Sequence, residues 1–81
     1  MKTVRFYHSM ICPRCHLSGL FLSQLQDEFP EVAVERVEYF THLGQAREDG
    51  VRGIPTLVAG DRRLAGVFLT PKSIRRFLET L

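Results

Sequence analysis

Cys12-Pro13-Arg14-Cys15 decides how this chain is read. It stands between a short alternating stretch, Thr3–Tyr7, and a run of helical spacing that opens at Pro13. These are the only 2 cysteines among 81 residues. A cysteine at a helix start lies where backbone N–H groups lack intrahelical partners, and their partial positive charge favours a thiolate over a thiol. The second sulfur, one turn on, is placed to attack a mixed disulfide made by the first. Nucleophile and resolving partner therefore share one turn of chain, which is what thiol–disulfide exchange needs. A bridge over so short a loop restrains the unfolded chain little, so the pair points to reactivity and not to a staple.

Outward from the motif, Val4 and Phe6 alternate within strand formers and predict a first strand over Thr3–Tyr7. His8-Ser9-Met10-Ile11 is a short loop, and Pro13 suits the first helical position because its missing N–H is not needed there. Leu17, Leu20, Phe21 and Leu25, widened by Leu22 and Phe29, predict the inward stripe of a helix that Pro30 stops. Val32–Glu38 reads as a strand with Val32 and Val34 on one face and Val37 on the other. A weaker helix is predicted over Thr41–Asp49, with Leu43 and Ala46 inward and Gly50 as a left-handed stop. Pro55 heads a third strand, Gly60-Asp61 fits a hairpin turn with glycine first, and Arg62–Val67 returns antiparallel. Thr70 as N-cap and Pro71 at the first helical position open a last helix with Ile74, Phe77, Leu78 and Leu81 on its apolar face. The order is βαβ, a second helix, then ββα: an α/β domain spanning 1–81 with a four-stranded mixed sheet and a right-handed first crossover. There is no internal repeat, low-complexity tract or linker.

Composition narrows the function. Eleven Lys and Arg against nine Asp and Glu give a net charge of +2, a mixed surface unlike a nucleic-acid footprint. No apolar run reaches membrane-spanning length, and Met1-Lys2-Thr3 leads into the first strand without an apolar leader, so no membrane partner is expected. The expected location is the cytoplasm, where a C-x-x-C is more often catalytic or metal-binding than structural. A monomer is expected.

Cys12-Pro13-Arg14-Cys15 opening the first helix and Gly53-Ile54-Pro55-Thr56 opening the third strand coincide with this element order, and together they resemble the thioredoxin superfamily over nearly the whole chain. The front half, with its short first strand, brief loop and C-P-x-C, looks like a glutaredoxin. Arg52–Leu57, the hairpin and the last helix resemble thioredoxin more closely. The resemblance implies a minimal thioredoxin fold with helices on both sheet faces, and a cis peptide at Ile54–Pro55 that packs against the sulfurs and presents the Ile54 backbone to a substrate. It also implies a thiol–disulfide oxidoreductase that needs no cofactor and acts on protein disulfides. Its reductant would be glutathione or a thioredoxin-reductase-type enzyme. The departures are specific. Ile11 and Pro13-Arg14 replace the Trp and Gly-Pro of thioredoxins, and Phe6 stands where they bury an aspartate, six residues before the first cysteine. Ala65-Gly66-Val67-Phe68-Leu69-Thr70 lacks the Gly-Gly and aspartate with which glutaredoxins hold glutathione. This favours a protein disulfide as substrate, with a glutathione-coupled glutaredoxin and a non-enzymatic redox-sensing module as the alternatives.

Other readings of the motif carry less. Cys12-x-x-Cys15-His16 also matches c-type haem attachment, which the closed α/β pattern disfavours. A zinc site would need Cys12, Cys15 and two of His8, His16 and His42, with no supporting second motif, so no metal is expected. Buried, inert cysteines are the bland alternative. Arg14, with Pro13, is the candidate for tuning the Cys12 thiol, since its fixed charge lies within a turn of the sulfur. Ile11 and Tyr7 are candidates for an apolar rim, with Tyr7 equally readable as core. His16 and His42 read as surface, and His8 lies in the loop before the motif, where it could face the site. Arg52 reads first as a solvated cation and second as a group that steers an acidic partner.

Overall fold

Alternation in the first strand organises the whole molecule. The computed structural model describes residues 2–66 and 68–81, in the order β1 (Lys2–His8), α1 (Pro13–Gln26), β2 (Val32–Glu38), α2 (Leu43–Glu48), β3 (Thr56–Ala59), β4 (Arg62–Ala65) and α3 (Pro71–Glu79). Val4 and Phe6 of β1 point to one face, Arg5 and Tyr7 to the other, as a two-residue period requires. The strand is central: β1 pairs in parallel with β2, from Lys2↔Val32 to His8↔Glu38, and antiparallel with β3 through Phe6↔Leu57. The hairpin partner β4 completes the order β2-β1-β3-β4.

Helices α1 and α3 cover one face. Leu22 and Leu25 of α1 meet Ile74, Phe77 and Leu78 of α3 over Val4, Phe6, Val32 and Leu57. Helix α2 covers the other, where Ala46 packs with Tyr7, Val37, Val51 and Val58. Thr70 caps α3 by accepting the Ser73 N–H at 3.1 Å, with Pro71 following it, as the sequence predicts. Gly50 has φ +76° and closes α2 with two reverse bonds, Val51 N–H to the Ala46 carbonyl at 2.8 Å and Gly50 N–H to the Arg47 carbonyl at 3.0 Å. Gly60, at φ +63°, turns the hairpin.

Three expectations change. Leu17 and Leu20 are exposed, Leu20 by 53%, and the buried stripe of α1 is Cys15, Ser18, Gly19, Leu22 and Leu25. Three of these five residues are small, and α1 lies close to β1: a Cβ on Gly19 would stand 3.0 Å from Arg36 and 3.2 Å from the Phe6 ring. A stripe drawn through large residues alone points the wrong way. Helix α1 also ends at Gln26, ahead of Pro30, and tight turns (Glu28 N–H to Leu25, Phe29 N–H to Gln26) satisfy its last carbonyls while Phe29 packs against the core. Helix α2 is shorter than expected and Leu43 is exposed, so Ala46 is the one buried residue it contributes. The predicted fourth strand is seen as Arg62–Ala65, and its expected end at Val67 lies outside the described residues.

Candidate active site

Cys12 is the N-cap of α1. Its backbone is extended, Pro13 takes the first helical position, and its sulfur accepts the Cys15 N–H at 3.1 Å. A cap is normally an oxygen that satisfies one of the free N–H groups of the first turn; here a sulfur does it. The cysteines are joined as a disulfide, with Cα atoms 5.2 Å apart. Both cysteines are buried, Cys12 at 8% exposure and Cys15 at 2%.

The loop before the motif is held from within. Cys12 N–H bonds the Ser9 carbonyl at 3.2 Å, Ile11 N–H reaches the Ser9 hydroxyl at 3.4 Å, and Tyr39 N–H bonds the His8 carbonyl at 2.7 Å. Ser9 is buried by this arrangement, and Met10 and Ile11 are turned out, Ile11 to 80% exposure. Ile11 and Met10, the latter left unassigned by the sequence reading, are thus exposed apolar residues in the loop that leads into Cys12. Tyr7, the other candidate for an apolar rim, is not one of them. It is fully buried, and its hydroxyl donates to the Asp49 carboxylate, which Arg5 also grips at 3.0 Å. Burial, then Asp49, pushes the Tyr7 phenol up to about 12.

On the second side of the motif, the Ile54–Pro55 peptide bond is cis, and the buried Pro55 opens β3. Ile54 is half-buried against the α2-side core. A groove of about 490 Å³ runs past this bond, and Arg14, Arg52 and Arg63 line it. Arg14 is exposed, so its guanidinium stands in that groove and not in the interior.

Phe6, which lines one cavity with Cys15, is buried and stacked on His8 at 5.3 Å between ring centroids. The Arg36 guanidinium lies over the Phe6 ring, 5.5 Å from its centroid, and donates to the Ser23 hydroxyl. A cavity of about 300 Å³ here is lined by Cys15, His8, Met10, His16 and Arg36. Burial, with Arg36 and His16 adding to it and Glu38 opposing, holds His8 below the usual imidazole value. His8 therefore does border the site, on the Cys15 side. His16 touches the Met10 carbonyl at 2.9 Å from an exposed position, and His42 is an exposed residue at the start of α2. Among the described residues no three His, Cys, Asp or Glu side chains gather around one point where a metal would sit, and no helix is long and apolar enough to cross a membrane.

The sheet order, helices on both faces and a cysteine pair opening α1 define a thioredoxin fold with a C-x-x-C motif. Solved structures bear this out. The chain superposes on oxidised mitochondrial thioredoxin 3 of Saccharomyces cerevisiae with a TM-score of 0.85 and 21% identity, over 99% of this chain and 78% of that one. Desulfothioredoxin of Desulfovibrio vulgaris Hildenborough gives 0.83 and 21%, over 99% and 81%. Thioredoxin O2 of Arabidopsis thaliana gives 0.79 and 20%, over 100% and 75%. No family model and no curated protein matches the sequence.

Proposed function

We propose that this protein is a thiol–disulfide oxidoreductase whose Cys12–Cys15 pair reduces protein disulfides. One observation carries the reading: the Cys12 sulfur caps α1 and accepts the Cys15 N–H, beside a cis-proline loop. In the reduced protein that N–H becomes a charge-assisted donor to a thiolate, which lowers the thiol pKa and favours the nucleophile. The Cys12 thiolate attacks one sulfur of the substrate disulfide; a mixed disulfide forms and the other substrate sulfur leaves as a thiolate. The Cys15 thiolate then attacks the Cys12 sulfur, closes the Cys12–Cys15 disulfide and releases the second substrate thiolate. Two electrons pass to the substrate, and an external dithiol or glutathione system must return them.

Pro13 fixes the first helical turn, Arg14 adds positive charge near the motif, and Ile11 with the Ile54 backbone and Pro55 receives the substrate. The cytoplasm, with its reducing thiol pool, suits this direction of exchange. The absence of an acid in Ala65–Thr70 argues against a glutathione-dedicated site.

Trapping tests the reading. Cys15→Ser should accumulate a mixed disulfide between Cys12 and a disulfide-bonded protein substrate, detected by mass on a non-reducing gel, and Cys12→Ser should accumulate none. Trapping by neither variant, with reversible oxidation of the wild type intact, would move the protein to the redox-sensor class.

A further inference from the structure

We infer that the groove beside Ile54–Pro55 binds an extended acidic segment of the substrate protein, so that exchange favours disulfides flanked by Asp or Glu. The inference rests on the oxidoreductase reading and adds to it the class of substrate.

The groove draws its charge from three separate parts of the chain: Arg14 in the first turn of α1, Arg52 before the cis-proline, and Arg63 on β4. Three of the 11 basic residues line it and none of the nine acidic ones does. The remaining walls, including Val51, Ala65 and Gly66, are uncharged. Among the described residues the ion pairs are Arg5 with Glu35 and Asp49, and Arg75 with Glu28, so none of the groove arginines has a carboxylate partner. The neighbouring carboxylate is already engaged. Asp49 is held by Arg5 and Tyr7, and Arg63 reaches only its backbone carbonyl, at 3.4 Å.

Three unneutralised guanidinium groups around one groove repel each other, and an anionic segment relieves that repulsion while making planar, paired hydrogen bonds. A peptide suits the site because Ile54 makes no backbone hydrogen bond among the described residues, which leaves its N–H and C=O available to an extended strand. Exposed cations at a groove act mainly on encounter rate and substrate choice, and salt screens them.

The test uses two matched sets of peptides around one cysteine, flanked by Asp and Glu or by Lys and Ser. In disulfide form the acidic set should be reduced at least about tenfold faster at low ionic strength, a preference that falls steeply with salt. Arg52→Glu, and Arg52→Glu with Arg63→Glu, should collapse the ratio of acidic to basic rates or invert it. Arg47→Glu, the same charge change at an α2 residue that does not line the groove, should keep the ratio. Equal rates for both sets at low salt, or equal loss of preference in Arg47→Glu, would overturn the groove and leave the oxidoreductase reading standing. Cysteine-free versions, with serine at the cysteine, provide a readout without turnover: fluorescence anisotropy should show the acidic peptide binding and the basic one not. That binding result decides the groove even where no peptide is reduced, an outcome that would count against the oxidoreductase reading alone. If the arginine variants instead slow only a glutathione mixed disulfide and leave acidic peptides unaffected, the groove is a glutathione site and the inference fails.

Discussion

The two faces of the sheet are built from different chemistry. Under α1 and α3 the contact is mainly apolar, with ten buried hydrophobic residues from Val4 to Leu78 in one cluster. Under the six-residue α2 only five buried residues meet, and one of them is Tyr7, whose hydroxyl needs a partner. That thinner face is supplemented by Arg5, Tyr7 and Asp49, which tie β1 to the end of α2 through one carboxylate. The cysteines hang from the thick face through α1, whereas the cis-proline loop leans on the thin one through Val51 and Ile54. The cysteine pair and the cis-proline loop therefore depend on separate stabilising sources.

The largest expected effect tests the thick face. Leu22→Ala should cost about 2–5 kcal/mol, since Leu22 is fully buried between α1 and the sheet and its loss leaves a cavity. Val37→Ala on the thin face should cost only about 1.5 kcal/mol, the transfer of two methyl groups. Urea midpoints at constant slope measure both, and equal losses would erase the distinction between the faces.

Next is Tyr7→Phe, which removes a hydrogen bond to a charged acceptor and should cost about 1.5–3 kcal/mol. It should also change the alkaline limb. The folded protein keeps the Tyr7 proton to about 12 while an unperturbed phenol loses it near 10.0, so the folded state binds more protons between those values and stability falls as pH rises through that window. Tyr7→Phe should remove this decline. A decline that persists unchanged would mean that other groups set the alkaline limit.

The smallest effect lies on the acid side of the thick face, at His8. Its pKa is held below 6.5, so on acidification the unfolded chain takes up a proton first. Stability should fall as pH drops from about 6.5 to the folded value and level off below it, so far as His8 alone is concerned. His8→Gln should flatten that segment of a stability-against-pH profile. Arg36, His16 and Glu38 face the same imidazole, and a slope unchanged in His8→Gln would mean that His8 does not set it.

Features that rest on local chemistry were legible in the sequence. Thr70-Pro71 marks a cap, Gly50 a left-handed stop, and the period of β2 assigns Val32 and Val37 to opposite faces, because each signal is contained in a few adjacent residues. Cys12 and Cys15 were legible for the same reason: their spacing and Pro13 fix a helix start. What escaped depends on tertiary approach. The small stripe through Ser18 and Gly19 exists because Phe6 and Arg36 press on α1, and nothing in the α1 sequence records that pressure. The placement of Tyr7 depends on Asp49, which lies 42 positions away. The groove joins Arg14, Arg52 and Arg63 only after the hairpin has folded back, so one of its arginines read as a thiol-tuning group and another chiefly as a solvated cation.

A sulfur that serves as a helix cap changes what counts as a silent control. Serine at position 12 keeps a side-chain acceptor for the Cys15 N–H, whereas alanine leaves that donor only the Cys12 carbonyl, at 3.1 Å. The two substitutions are therefore not interchangeable blanks: both remove the sulfur, and only alanine also removes the side-chain cap of α1.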